Sequence, residues 1–67
     1  MEDTTTLTSK EKFLKIYANL PMQAREEIIY VTDEKQPLTW NAIYVEVIND
    51  TQLSESILSY LKNLGII

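Results

Sequence analysis

The side chains able to do chemistry in this chain are few and of few kinds. It contains no cysteine and no histidine, which excludes disulfides, thiolate metal sites and imidazole in either role, as base or as ligand. Apart from Glu2-Asp3 at the start of the chain, the carboxylates that stand together are sequence neighbours, Glu26-Glu27 and Asp33-Glu34. Neighbours on a helix point about 100° apart, so these pairs do not converge as an acid/base dyad must. The only glycine is Gly65, so there is no glycine-rich loop to cradle a phosphate. An oxygen-ligated cation at Asp33-Glu34 has no supporting ligand spacing. The expectation is therefore no enzyme, no cofactor and no metal. What remains is a hydrogen-bonding face, Ser54, Ser56, Ser59, Tyr60, Lys62 and Asn63, gathered within ten residues.

Charge bears on what such a face could meet. Six basic residues stand against ten acidic ones, a net charge of −4, the wrong sign for a surface that lives on phosphate backbones. The C-terminal half, residues 36–67, has Lys62 as its one cation against Glu46, Asp50 and Glu55. Lys10, Lys12 and Lys15 make one locally positive stretch, which reads as solubilising or as a phosphate contact. The longest apolar run, Ile28 to Val31, is too short for a membrane span or a secretory core. A cytoplasmic protein without membrane association is expected, folded as a single small domain with a thin margin of stability.

The elements that position the polar face follow from periodicity. Residues 1–8 are polar and acidic and read as a flexible leader. Phe13, Ile16, Tyr17 and Leu20 recur at helical spacing, with Thr8 and Glu11 placed as a capping box. Leu20-Pro21 ends that helix, and Pro21 suits the first turn of another. In this second segment Ala24, Ile28 and Val31 align on one helical face, although Ile28 to Val31 equally fits a strand. Thr32 to Pro37 is a charged loop, and Leu38 is a place for a short extended piece. Thr39 caps a third helix with Trp40, Ile43, Tyr44, Val47 and Ile48 on its apolar face. The β-branched content there argues for strand, but Ile43-Tyr44-Val45 and Val47-Ile48 break strict alternation, which favours helix.

Asn49-Asp50-Thr51 is a turn in which Asn49 can take the left-handed conformation. Leu53, Ile57, Leu58, Leu61 and Leu64 then form the stripe of a last helix, with Ser54 as cap and Gly65 as stop. The whole reads as an all-α domain over residues 9–67, with helices near 9–19, 21–32, 39–49 and 53–64. The expected core is Phe13, Ile16, Leu20, Ile28, Ile43, Val47, Ile57, Leu58, Leu61 and Leu64. Most of the aromatic residues, Phe13, Tyr17, Tyr30, Trp40, Tyr44 and Tyr60, belong to that packing, with Tyr17 and Tyr30 as candidates for a dimer contact.

Three segments carry a resemblance. Arg25 to Ile29, Pro37-Leu38-Thr39 with Ile43 to Ile48, and Thr51 to Ile67 resemble the three-helix portion of winged helix-turn-helix regulators. The chain is similar to the multiple-antibiotic-resistance and arsenic-sensing repressor families, without the wing that would follow Ile67. The resemblance implies a helix-turn-helix portion at about residues 39–64 and a DNA-binding, dimeric transcriptional regulator. Ser54, Ser56, Ser59, Tyr60, Lys62 and Asn63 would then enter the major groove. The alternative, raised by the acidic C-terminal half, is a protein–protein interaction module on the same scaffold. It would bind a basic protein surface through the same face, anchored by Tyr60.

Overall fold

The computed structural model describes residues 8–67. The expected leader lies, except for Thr8, outside them. Thr8 is the N-cap of helix α1 (Ser9–Asn19): its hydroxyl oxygen accepts from the Glu11 N–H at 3.1 Å, and the Glu11 carboxylate accepts from the Thr8 N–H at 2.9 Å. This reciprocal box satisfies two of the donors that a helix start leaves open. At the other end Leu20 turns extended, with φ −78° and ψ 140°, as the residue before a proline is driven to do.

The helix expected over 21–32 does not form, and the all-α, four-helix fold is corrected accordingly. After Pro21 the chain makes a single 3₁₀ turn, Ala24–Glu26, and then strand β1 (Ile28–Val31) pairs antiparallel with strand β2 (Pro37–Thr39). The domain is thus three helices and a two-stranded antiparallel sheet. Two physical causes favour the strand. Three of the four β1 residues are β-branched and the fourth is aromatic, types that lose little on a pleated surface. The extended piece at Leu38 supplies a partner strand close in sequence, so the pairing closes only a short loop.

A bulge explains why period-two alternation hides this strand. Ile28 pairs with Thr39 and Tyr30 with Leu38, so two steps on β1 match one step on β2 and Ile29 is the extra residue. Ile29 and Tyr30 therefore both pack partly against the core, while Ile28 and Val31 stay exposed. The connecting loop is closed by Thr32, which is buried. Its N–H donates to the Gln36 carbonyl at 3.0 Å, and its hydroxyl oxygen accepts from the Gln36 N–H at 3.0 Å. Lys35 takes the left-handed conformation there, with φ 68°.

Helix α2 (Trp40–Ile48) follows β2 without a break, capped by Thr39, whose oxygen accepts from the Ala42 N–H at 3.1 Å. Helix α3 (Gln52–Asn63) follows after a three-residue turn, Asn49 to Thr51. Asp50, rather than Asn49, adopts the left-handed conformation in that turn, with φ 52°. The Thr51 N–H donates to Glu46 O at 3.2 Å and the Asp50 N–H to Val47 O at 3.1 Å, the crossed pair of bonds of a Schellman ending. Thr51, not Ser54, is the cap of α3. The same pattern closes α3, where the N–H groups of Ile66 and Gly65 donate to Leu61 and Lys62 and Gly65 has φ 82°.

The core is Phe13, Leu38, Trp40, Ile43, Val47, Ile57 and Leu61. Of the expected core residues, Ile16, Leu20 and Leu58 pack partly against it, but Ile28 and Leu64 are 57% and 56% exposed. Ile28 lost its place when its helix became a strand, and Leu64 lies just beyond the last turn of α3. Leu38 and Trp40 fill the space instead. Phe13 lies at the centre, its ring 5.5 Å from that of Trp40.

Candidate docking surface

Seen from α3 upward, the expected face separates into two sets. Ser56, Ser59, Tyr60, Lys62 and Asn63 are exposed. Ser54 is not: it is 3% exposed, and its hydroxyl donates to the Thr51 carbonyl at 2.6 Å. Its role is to fix the α2–α3 turn from inside, so it leaves the candidate site. Ser56, Ser59, Lys62 and Asn63 lie on the side of α3 away from Ile57 and Leu61, which are fully buried, and Tyr60 lies at its flank.

The turn between α2 and α3 is tied down by side chains as well as backbone. The Thr51 hydroxyl accepts from the Ser54 N–H at 3.1 Å and donates to the Glu46 carboxylate at 2.6 Å. Asp50 accepts from the Lys10 ammonium at 2.9 Å, joining the turn to the start of α1. Two of the three acidic groups of the C-terminal half are thereby occupied within the chain. Glu55 stands exposed in the first turn of α3, where it complements the helix dipole.

The outward side of α2 and the start of α3 carry a feature that the sequence reading did not single out. Val45, Ile48 and Leu53 are exposed there, beside Asn41, Asn49 and Gln52. No lysine or arginine lies in α2, in the turn, or in α3 before Lys62. Trp40, Ile43 and Val47 make the buried face of α2, so Val45 points away from it, and Ile48, expected on the apolar face, is exposed as well.

Tyr60 has the position an anchor needs, at 43% exposure with its ring packed edge-on against Tyr30, centroids 5.1 Å apart. This contact joins the α3 face to β1. Tyr17, by contrast, is enclosed within the chain. Its ring stacks on Tyr44 at 4.3 Å, the Arg25 guanidinium lies 4.3 Å from the same centroid, and its hydroxyl donates to Asn41 at 2.6 Å. Two groups so close to one centroid must occupy opposite faces, so neither face of Tyr17 is open to a second copy. The column is a packing device, cation on aromatic on aromatic.

The described residues contain no pocket, no cluster of three or more metal-ligating side chains, and no helix long and apolar enough to cross a membrane. What the chain offers is open surface, divided between the α2–α3 face and the β1 side of the sheet. Comparison with known protein families, curated proteins and solved structures returns no match.

Proposed function

We propose that this protein is a cytoplasmic, non-catalytic interaction module that docks a protein partner through the outward surface of α2 and α3. The carrying observation is that Val45, Ile48 and Leu53 are all exposed while α2, the turn and α3 before Lys62 contain no lysine or arginine. In a helix-turn-helix seated on DNA, the helix before the recognition helix crosses the phosphate backbone and the first turns of the recognition helix enter the groove. Here those positions present valine, isoleucine, leucine and Glu55, none of which neutralises a phosphate, and the cation at the turn, Lys10, is paired with Asp50, so counterion release has little to work with. The same three apolar residues suit the centre of a protein interface, with Ser56, Ser59, Tyr60 and Asn63 as its polar rim. Glu55 makes the complementary partner basic, and Tyr60 supplies the aromatic anchor.

A second reading retains one specific support. The outward groups of α3 include Ser56, Ser59 and Asn63, which can hydrogen-bond base edges, and the resemblance to winged helix-turn-helix repressors points the same way. On that reading the chain acts as a dimer, which doubles its phosphate contacts.

One experiment separates the two. Fluorescence anisotropy with a labelled mixed-sequence duplex at low salt is expected to show no saturable binding. Saturable binding that weakens with salt and is strengthened by Glu55→Lys would establish the nucleic-acid reading and remove this one. On the protein side, chemical crosslinking to a basic partner is expected to be lost in Val45→Glu/Ile48→Glu, whose sites are exposed. Crosslinking unchanged by that substitution would place the partner elsewhere.

A further inference from the structure

The sheet has two outer edges, and they are not alike. Thr32 and Gln36 form a hydrogen-bonded pair, and in an antiparallel ladder such pairs alternate with non-bonded ones. Tyr30 opposite Leu38 is therefore the next bonded pair, and Val31 opposite Pro37 is a non-bonded one. The backbone groups of Val31 and Pro37 consequently face away from the ladder, each toward its own outer edge. On β2 that outward position is a proline, which has no N–H to offer and caps the edge. On β1 it is a valine whose N–H and C=O have no partner among the described residues. Ile28 and Val31 are 57% and 55% exposed. Among the described residues the principal neighbour of β1 is β2.

Charge determines what this edge accepts. Glu26 and Glu27 precede β1 and Asp33 and Glu34 follow it, all four exposed. The cations nearby are Lys35 and Arg25, and Arg25 is spent on the Tyr17 ring. A second copy pairing antiparallel along β1 would bring the Glu26-Glu27 end of one chain to the Asp33-Glu34 end of the other, acid on acid at both ends. The chain's own residues 1–7 carry Glu2 and Asp3 and no lysine or arginine, again the wrong sign.

We propose that the β1 edge is a strand-addition site for an extended segment of a partner protein, apolar and β-branched at its centre and flanked by lysine or arginine at both ends. Backbone bonds to the outward groups of β1 supply the pairing. Alternate side chains of the incoming strand cover Ile28 and Val31. The flanking cations meet Glu26-Glu27 and Asp33-Glu34. A third strand also completes a sheet that is marginal with two. This site is independent of the α2–α3 surface and stands whichever reading of that surface holds.

The test titrates the isotope-labelled chain with a synthetic, end-capped peptide Lys-Lys-Val-Thr-Val-Thr-Lys-Lys, followed by NMR. Expected are saturable shifts centred on β1, slowed exchange of the Val31 amide, and dissociation constants in the range of about 10 μM to 1 mM. Val31→Pro, which removes the outward donor without touching the ladder, should abolish binding. The double variant Glu27→Lys/Asp33→Lys, at two exposed sites, should weaken it about tenfold and admit a Glu-flanked peptide of the same centre. The proposal is overturned by absence of binding to about 1 mM, by shifts confined to the helices, or by equal binding of a peptide whose central residues are replaced with glycine. Concentration-dependent self-association abolished by Val31→Pro would overturn it too, in favour of a second copy as the occupant.

Discussion

The unit from Trp40 to Gly65 and the segment from Pro21 to Thr39 meet at one peptide bond but are built on opposite terms. In the first, both helix starts are capped by threonine, both helix ends close with crossed bonds, the turn spends Glu46, Thr51 and Ser54 on one another, and Asp50 is paired with Lys10 of α1. In the second, a single 3₁₀ turn and a bulged ladder of seven residues are held to the core chiefly by Leu38, with Ile29 and Tyr30 partly packed. The helical unit closes both helix ends with backbone bonds and shows side chains to the outside. The hairpin leaves backbone of its own unpaired along β1 among the described residues. Stability and backbone open to strand addition thus lie in different parts of a very small chain, as is common where a binding element must open or extend.

Core substitutions give the largest separation of the two regions. Ile57 and Ile43 are fully buried, and Ile57→Ala or Ile43→Ala should each cost about 3–4 kcal/mol, enough to unfold much of the population of a domain this size. Ile28→Ala should stay within about 0.5 kcal/mol. Urea denaturation followed by circular dichroism measures both, and an Ile28 cost matching that of Ile57 would break the contrast. Leu38→Ala sharpens it, because Leu38 is the buried anchor of the hairpin. A loss of about 2–3 kcal/mol is expected, accompanied by greater exposure of Trp40, whose fluorescence should shift to the red.

Caps come next. Thr51→Ala removes the acceptor for the Ser54 N–H and the donor to Glu46, and should cost about 1–2 kcal/mol. Gly65→Ala meets no atom within 4 Å, yet φ 82° makes it unfavourable by about 1 kcal/mol, again by urea titration. The smallest effect belongs to Lys10→Met. The Lys10–Asp50 pair is 2.9 Å long, but Asp50 is 72% exposed, so the expected cost is below about 0.5 kcal/mol and vanishes in high salt.

The same division decides how far the sequence could be read. The capping box at Thr8 and Glu11, the stop at Pro21, the Thr39 cap and the middle of the α3 stripe, Ile57, Leu58 and Leu61, all rest on local chemistry with one outcome, and the structure has each of them, whereas Leu53 and Leu64 at the ends of the stripe are exposed. Ile28 to Val31 has no local solution: four apolar residues fit a helix face and a strand equally. The strand follows from Leu38 as partner, and the bulge at Ile29 erases the alternation that would have announced it. Ser54 was misplaced for a related reason. As a polar residue near a helix start it reads as a cap, but Thr51 takes that role, which leaves Ser54 buried one turn inside. The exposed face of α3 could be read from the leucine stripe, whereas the exposure of Val45, Ile48 and Leu53 required knowing which face of α2 the core had already filled.

Amide hydrogen exchange of the free protein, resolved residue by residue, tests most directly the claim that the helical unit is closed and the β1 edge open. The amides of Ile57 and Leu61 should exchange only through global unfolding. Tyr30 and Thr32, bonded across the ladder, should exchange through a local opening of lower free energy. Val31, placed between them with its N–H facing outward, should show almost no protection. Protection at Val31 equal to that at Tyr30 would mean that its amide is already paired or covered in the free protein, and the account of an open edge would fail.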